Sequence, residues 1–424
     1  MKNRLTVLLR TVGAILVIQP SCWPGVASAE LGVQVGDPVI VYGASSELWH
    51  GGPLLQLKDG SLWMGGAENS LRSKDRGVTW MTQPPLSGHV LQRRDGSFFL
   101  LDGRTRPTQR AGVFAGKRRI LKRLEDLESP ASPQPRWDDV ELSVPEWAPM
   151  TGDDAKTKVE TLTISGPMLE LADGTLLAGN YGNFAGDKVP MEGFVASKGE
   201  KWFKYRTYLL ASTDGGSRWN YLSTVAYDGK TGQESFCEPG LVDLGSGELL
   251  AVMRTGRFGP MCQARSMDGG KSWGKPESLR TLGLAPQLAL LPNGILVCSF
   301  GWRPTKNQVV GGGRPAEQAL ADYRKRYQAE VGIDDPSAAA GDYVMASADK
   351  GRSWTKPKRI AAPLTVGYTY LAPNGQDSCL ILTQKIFIPG EPEASVLEKW
   401  KLDWIRWRDL AKRILEARQI TIRR

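Results

Sequence analysis

The chain has 424 residues, of which 41% are hydrophobic and 23% charged, and its formal net charge at pH 7 is +9. Lys2, Arg4 and Arg10 belong to a predicted leader, and residues 393–424 hold nine Lys and Arg against five Asp and Glu. The body of the chain is therefore close to neutral, which excludes the evenly basic surface of a nucleic-acid-binding protein. After the leader there is also no run of about 20 apolar residues for a membrane-spanning helix.

Residues 1–29 are predicted to be a signal peptide. They begin with basic residues and continue into a mostly apolar run over residues 12–17. They end in Ala27-Ser28-Ala29, which has the small residues of a cleavage site. The sequence therefore predicts export to the periplasm or the extracellular space, with cleavage near Ala29.

Six segments along the rest of the chain have the pattern of a β-hairpin, with two apolar strands joined by a tight turn. Asp-Gly or Asn-Gly between apolar strands is the strongest short-range hairpin signal. The turn glycines are Gly60, Gly96, Gly174, Gly247, Gly294 and Gly375. Six hairpins at intervals indicate a repeat architecture.

A second repeat, Ser-x-Asp-x-Gly-x-x-Trp, follows four of these hairpins. Its copies are Ser73–Trp80, Ser212–Trp219, Ser266–Trp273 and Ser347–Trp354. The Asp side chain accepts backbone N–H bonds within a turn, Gly adopts positive φ, and Trp supplies an apolar face. We therefore interpret Asp75, Asp214, Asp268 and Asp349 as structural residues of peripheral turns.

Each hairpin with the turn that follows it makes one four-stranded antiparallel blade. Six such units predict an all-β fold, a six-bladed β-propeller that occupies residues 30–424. Short helical insertions and a C-terminal helix are expected to accompany the blades.

Three stretches interrupt the repeat. Residues 103–150 and 303–341 are predicted insertions, the second with a helix from about Pro315 to Glu330. Each is either a lid over a central pocket or a solvated excursion. Residues 393–412 are predicted to form an amphipathic helix that docks on the propeller or binds a membrane surface. Residues 419–422 alternate like a strand and are expected to complete a blade with the first hairpin.

Four cysteines follow the leader, namely Cys237, Cys262, Cys298 and Cys379. In an exported protein they either form disulfides or remain buried thiols. Their spacing matches no metal motif and the chain has only two histidines, so no metal site and no cofactor are expected.

Residues 237–276 carry the most specific pattern. They read CEPGLVDLGSGELLAVMRTGRFGPMCQARSMDGGKSWGKP, a Glu-Pro, hairpin, Met-Arg-Thr and Asp-box sequence. With the repeats, this stretch resembles the sialidase (neuraminidase) superfamily of Asp-box, or BNR-repeat, propellers. The resemblance implies a glycoside hydrolase of exo-α-sialidase type acting on a glycan. Such enzymes use a Tyr nucleophile, in contrast to the usual pair of carboxylates.

The resemblance implies a role for several residues. Tyr368 corresponds to the nucleophile, Glu238 to the base that activates it, and Arg254 to one of three arginines that bind the sugar carboxylate. Arg303 is a candidate for a second such arginine, and Asp102 and Glu68 are the candidates for the acid/base. Tyr370 competes with Tyr368 for the inward position.

Other family positions differ. Gly51 stands where the family has its first arginine, and no arginine precedes Ser347, where the third is expected. These differences favour either another sugar or a non-catalytic propeller that binds a glycan or a protein.

The two histidines, His50 and His89, occupy equivalent positions in adjacent blades. They either contact the substrate, as sugar ligands or proton carriers, or bond neighbouring loop carbonyls.

Overall fold

A computed structural model shows the fold. It describes residues 31–41, 54–65, 69–84, 88–123, 126, 136–151, 158–162, 164, 166–195, 201–256, 259–303, 316–334, 336–361, 364–397, 399 and 412–424. The predicted signal peptide, His50, Gly51 and Glu68 lie outside these residues. Strands dominate the described chain, and the predicted all-β class is confirmed.

The strands of the first half of the chain vary from two to nine residues in length. They are β1 (Gly32–Val35), β2 (Val39–Val41), β3 (Leu54–Gln56), β4 (Leu62–Met64), β5 (Ser70–Ser73), β6 (Met81–Gln83), β7 (His89–Gln92), β8 (Phe98–Leu101), β9 (Arg106–Pro107), β10 (Val113–Leu121), β11 (Asp138–Ser143), β12 (Trp147–Ala148), β13 (Met150–Thr151), β14 (Lys158–Val159), β15 (Met168–Glu170), β16 (Leu176–Phe184), β17 (Pro190–Val195), β18 (Lys201–Phe203), β19 (Arg206–Ser212) and β20 (Arg218–Ala226).

The second half is more regular. Its strands are β21 (Cys237–Gly245), β22 (Glu248–Arg254), β23 (Pro260–Ser266), β24 (Glu277–Leu282), β25 (Leu284–Leu290), β26 (Leu296–Trp302), β27 (Gly341–Ser347), β28 (Lys358–Ala361), β29 (Thr365–Pro373), β30 (Ser378–Phe387) and β31 (Lys412–Arg423).

Most of these strands pair in antiparallel groups of four. The groups β3 to β6, β21 to β24 and β25 to β28 are separate four-stranded sheets, which we call the first, fourth and fifth sheets. The second group (β7, β8, β10, β11) and the third (β15, β16, β19, β20) are joined through a parallel pairing of β11 with β20. The sixth sheet contains β29, β30, β31 and β1, with β2 also paired to β31.

Two predictions about connections need correction. Residues 103–150 contain β10 and β11, and β10 pairs with β8, so these two strands belong to the second sheet rather than to an insertion. The C-terminal strand pairs with β30 and with the N-terminal strand β1, not with the first hairpin. β1 and β31 lie at opposite ends of the chain, so no local pattern revealed their pairing.

The sheets pack face to face through apolar side chains. β3 contacts β29, β29 contacts β25, β25 contacts β21, β21 contacts β16, and β15 contacts β7. Leu55 and Val90 share a cluster that connects the first sheet with the second. The core therefore lies between sheets, and the strand that follows each turn is buried by its neighbours.

The insertion after β26 contains the predicted helix in two pieces, α1 (Ala316–Arg326) and α2 (Gln328–Val331), followed by a 3₁₀ turn (Pro336–Ala339). Tyr323 of α1 is buried against Leu282 and Trp302. The indole of Trp302 donates to the Pro336 carbonyl at 2.7 Å. The described part of this insertion therefore packs on the fourth and fifth sheets.

Most of the predicted C-terminal helix lies outside the described residues, including its three tryptophans. Residues 393–397 and 399 are helical, and Val396 is buried in a cluster with Leu364 and Ile386 of the sixth sheet. Within the described ranges, no helix is long and apolar enough to cross a membrane.

The four Asp-box turns share one set of hydrogen bonds. The Asp carboxylates of Asp75, Asp214, Asp268 and Asp349 accept from the Ser hydroxyl at 2.8, 2.9, 2.8 and 2.7 Å, and also from backbone N–H groups of the turn. Trp80, Trp219 and Trp273 each donate from the indole to the Gly carbonyl of the same turn. These contacts stay within each turn, which agrees with a structural role.

The cysteines that follow the leader, Cys237, Cys262, Cys298 and Cys379, are free and buried. Burial raises the pKa of Cys262 to about 12. The sequence left disulfides and buried thiols as alternatives, and the structure shows buried thiols.

Candidate active site

Four of the predicted site residues, Glu238, Arg254, Arg303 and Tyr368, lie at one end of the fourth, fifth and sixth sheets. Antiparallel pairing sets Cys237, at the start of β21, opposite Arg254, at the end of β22. The Ala285 N–H, at the start of β25, donates to Glu238 Oε2 at 3.0 Å, so the starts of β21 and β25 are adjacent. Arg303 follows β26 and lies over the ring of Tyr368 in β29, which adds the sixth sheet to this end.

A backbone irregularity recurs where each of these three inner strands begins. The pairing register shifts between Cys237 and Gly240 in β21, and there are similar shifts near the start of β25 and of β29. Glu238 has φ 47°, Ala285 46° and Gly367 77°. Positive φ is uncommon for residues other than Gly, and such bulges and strained residues cluster at functional sites, where they redirect side chains.

Glu238 and Arg254 form an ion pair at this end, and the carboxylate of Glu234 also binds Arg254. Arg254 Nη1 donates to Glu238 Oε1 at 2.8 Å, and its Nη2 donates to Glu234 Oε1 at 3.1 Å. The side chain of Arg254 is 15% exposed, that of Glu238 is 13% exposed and that of Glu234 is 10% exposed. We call these three residues the carboxylate–arginine triad.

Glu234 was missed by the sequence reasoning. It lies in the loop before β21, and neither its spacing nor its neighbours match a motif. The Glu234 backbone N–H donates to the Thr255 carbonyl at 3.1 Å, and its carbonyl accepts from Tyr205 N at 2.8 Å. Only these contacts between distant loops bring it to Arg254.

The triad fixes the charge state of the groups around it. Burial lowers the pKa of Arg254, but the carboxylates of Glu234 and Glu238 outweigh burial and hold that pKa well above its ordinary value. Burial, together with the Glu234 carboxylate, raises the pKa of the Cys237 thiol. Cys237 is therefore a neutral thiol that donates to Glu234 Oε2 at 3.3 Å.

Tyr368 lies beside this triad. The guanidinium carbon of Arg303 is 5.3 Å from the centre of the Tyr368 ring, a cation–π contact. Tyr368 is also among the groups whose charge acts on Arg254 and on Tyr181. Burial, followed by the charge of Glu238, raises the pKa of Tyr181, whose ring packs edge-on against Tyr205 at 5.3 Å. The Tyr368 phenol is thus within electrostatic range of Arg254, which itself contacts Glu238.

Tyr370 has different surroundings. It is buried, its ring packs with the first and sixth sheets, and its hydroxyl accepts from Gln384 Nε2 at 3.0 Å. It therefore points into the contact between sheets.

A buried acid, Asp342, sits behind the Tyr368 segment. Its Oδ1 accepts from the Thr365 hydroxyl at 2.9 Å, and the same hydroxyl oxygen accepts from Gly367 N at 2.9 Å. Burial raises the pKa of Asp342 to about 8, although the Thr365 bond and the charge of Arg303 oppose this. This chain of bonds holds the backbone just before Tyr368, and no sequence pattern predicted it.

Two other predicted residues have local partners. His89 Nε2 lies 2.7 Å from the Ile164 carbonyl oxygen, a contact that ties β7 to the segment before β15. The Asp102 carboxylate accepts from Arg104 N at 3.0 Å within its own turn at the end of β8. His50 and Glu68 lie outside the described residues.

Among the residues that the structure describes, no group of three or more His, Cys, Asp or Glu side chains is arranged to hold a metal ion.

Comparisons with known proteins agree with the repeat. Residues 145–294 match the family described as BNR repeat-like domain, which confirms the resemblance to Asp-box repeat proteins. No curated protein matches the chain.

Three solved structures illustrate the range of similarity. A protein of unknown function from Dyadobacter fermentans is 17% identical with a TM-score of 0.53, and the match covers 92% of this chain and 100% of that one. A Hadza microbial sialidase is 15% identical with a TM-score of 0.46, covering 78% of this chain and 62% of its own. An α-L-arabinanase from Penicillium chrysogenum is 13% identical with a TM-score of 0.46, covering 82% and 94%. The likeness to the Dyadobacter protein shows a shared fold.

Proposed function

We propose that the protein is an exported glycoside hydrolase of sialidase-like type that removes a terminal sugar from a glycan. The observation that carries this proposal is the grouping of Glu238 and Arg254, on two paired strands, with Tyr368, which is far from both in the chain. Shifted pKa values around such a group, here those of Arg254, the Cys237 thiol and the Tyr181 phenol, are typical of functional sites. Sialic acid is the sugar that the resemblance implies, and a non-sialic sugar is the alternative.

The proposal includes a closed ring of six four-stranded blades. Its support is the series of contacts between inner strands, which runs from β3 through β29, β25 and β21 to β16 and from β15 to β7. A ring of this kind places the starts of all inner strands around one axial cavity. The glycan would enter that cavity from the end where Glu238 and Tyr368 lie.

In the proposed reaction the Tyr368 oxygen attacks the anomeric carbon of the sugar. Glu238 takes the phenolic proton, because a phenol with a pKa of about 10 is mostly protonated and needs a base. The bond from the anomeric carbon to the leaving oxygen breaks, and that oxygen takes a proton from an acid, for which Asp102 and Glu68 are the candidates. Water then cleaves the bond between Tyr368 and the sugar, and the phenol regains its proton.

The second candidate function is a non-catalytic propeller that binds a glycan or a protein. The observation in its favour is that Arg254 is already paired with two carboxylates. An arginine that already binds two carboxylates is as well suited to a structural role as to substrate binding.

A panel of aryl glycosides, including sialosides, uronides and neutral sugars, tests the hydrolase proposal. We expect release of the aryl group by the wild-type protein and loss of turnover in Tyr368→Phe. Tyr370→Phe is the matched control, since its hydroxyl contacts Gln384 inside the protein. Equal rates in wild type and Tyr368→Phe would rule out the nucleophile, and release of no aryl group from any member would favour the binding protein.

Export has its own test. N-terminal sequencing of protein secreted by an expression host should find a chain that begins near Glu30. A chain that retains residues 1–29 would contradict a cleaved leader.

A further inference from the structure

The carboxylate–arginine triad has an excess of negative charge. Arg254 supplies one positive charge, whereas Glu234 and Glu238 supply two negative charges within 3.1 and 2.8 Å of its guanidinium nitrogens. In a clamp for an anionic sugar the arginines exceed the carboxylates, because the clamp must neutralise the ligand. In the carboxylate–arginine triad the carboxylates exceed the arginine instead.

The remaining carboxylate oxygens of the triad are also engaged. Glu238 Oε2 accepts from Ala285 N at 3.0 Å, and Glu234 Oε2 accepts from the Cys237 thiol at 3.3 Å. Both acids are thus held in place from two sides, so neither can swing away to expose Arg254 without breaking two contacts. Since all three side chains are mostly buried, such a rearrangement would leave a charge without a partner, which is strongly unfavourable.

Arg303 is a second cation beside Tyr368. It is buried and stacks on the ring of Tyr368 at 5.3 Å. Together with the triad it gives two positive and two negative charges. Among the described residues, the four charged side chains that contact one another or Tyr368 therefore carry no net positive charge for a ligand carboxylate.

We propose, resting on the proposed function, that the site takes a sugar without a carboxylate and that Glu234 is the residue that sets this preference. A neutral sugar is not repelled by the two fixed carboxylates, and its hydroxyl groups can donate hydrogen bonds to them. An anionic sugar is repelled by them at short range in a partly buried site, where screening by water is weak. Glu238 also carries charge, but its proposed proton transfer with Tyr368 requires that charge, whereas Glu234 can be changed without removing the base.

The test compares binding of neutral methyl glycosides with their uronate counterparts and with N-acetylneuraminate, measured by calorimetry and ligand-detected NMR. The wild-type protein should bind the preferred neutral sugar at least about tenfold more tightly than its uronate. In Glu234→Gln, which keeps the shape and removes one negative charge, this ratio should fall about tenfold through tighter binding of the anions.

Glu248→Gln is the matched control. Glu248 also pairs with an arginine, Arg265, at 2.6 Å, but it begins β22 while Arg254 ends it, about 20 Å away. Its replacement should leave the ratio unchanged, and a melting curve of Glu234→Gln close to that of the wild type should show that the fold is retained.

Tighter binding of N-acetylneuraminate or a uronate than of every neutral sugar by the wild type would overturn the inference. So would an unchanged ratio in Glu234→Gln. Failure of the proposed function is a separate result, because binding is measured without turnover. A neutral sugar that binds but is never cleaved would remove the hydrolase while leaving the preference intact.

Discussion

Replacing Gly301 by alanine tests how closely the fifth and sixth sheets must approach to position Tyr368. Gly301 lies in β26 against Gly367, the residue before Tyr368. A Cβ on Gly301 would lie 2.1 Å from the Gly367 oxygen, 2.3 Å from its Cα and 2.4 Å from its carbonyl carbon. These are backbone atoms, so no side-chain rotation can relieve the overlap.

The magnitude follows from these distances. Ordinary contact between such atoms needs about 3.5 Å, so the two strands must separate by about 1 Å. Overpacking in a core costs about 1–3 kcal/mol, and a backbone overlap of this depth belongs at the upper end, about 3 kcal/mol. A displacement of about 1 Å at a reacting group also lowers the rate by about 100-fold.

The measurement is urea unfolding together with turnover of whichever aryl glycoside the wild type cleaves. Gly186→Ala is the matched control, since Gly186 has no atom near its would-be Cβ and no positive φ is recorded for it. It should unfold within a few tenths of a kcal/mol of the wild type and keep full activity. A Gly301→Ala protein with wild-type stability and a rate within twofold would refute the argument that this contact positions Tyr368.

Three further predictions concern groups outside the proposed reaction. Because burial raises the pKa of Asp342 from 3.8 to about 8, the folded protein binds a proton that the unfolded chain lacks between these values, so stability falls as the pH rises from about 4 to about 8. Asp342→Asn cannot ionise, so its melting temperature relative to wild type should be higher at pH 8 than at pH 5, and parallel pH curves would contradict this. Asp268→Ala removes the acceptor for Ser266 and Ser272 and should lower the melting temperature without changing the KM of the reaction; a large change in KM would contradict a structural role for the Asp-box turns. The mature protein should show no thiols to Ellman's reagent when native and four when denatured without reductant, and fewer than four would indicate disulfides.

The sequence predicted the repeated turns because each is stabilised by contacts within a few residues. In the Asp-box of Asp268, for example, the bonds that shape the turn join Asp268 to Ser266 and Ser272 and Trp273 to Gly270, so they follow from spacing in the chain. The six hairpins follow from the same kind of local pattern. The all-β class therefore came from the sequence without knowledge of how the sheets meet.

Pairings between distant segments were not available in this way. The C-terminal strand joins β1 at the opposite end of the chain, and β10 and β11 complete the second sheet within a stretch that reads as irregular. Their hydrogen bonds are made by backbone groups, which every residue has, so side-chain pattern does not specify the partner.

The candidate site shows the same division. Glu238, Arg254 and Tyr368 were identified from the chain because their motifs surround them. Glu234 and Asp342 were not identified, because the role of each depends on a partner in another loop or sheet. Glu234 binds Arg254, and Asp342 binds Thr365.

The sequence by itself thus determined the repeated unit and nominated a phenol, a carboxylate and a guanidinium for one site. Only the tertiary structure decided the charge of that site, since the second carboxylate on Arg254 comes from a loop held by Thr255 and Tyr205. The physical reason is that charge balance is summed over everything within a few ångströms in space, whereas a motif reports only neighbours along the chain.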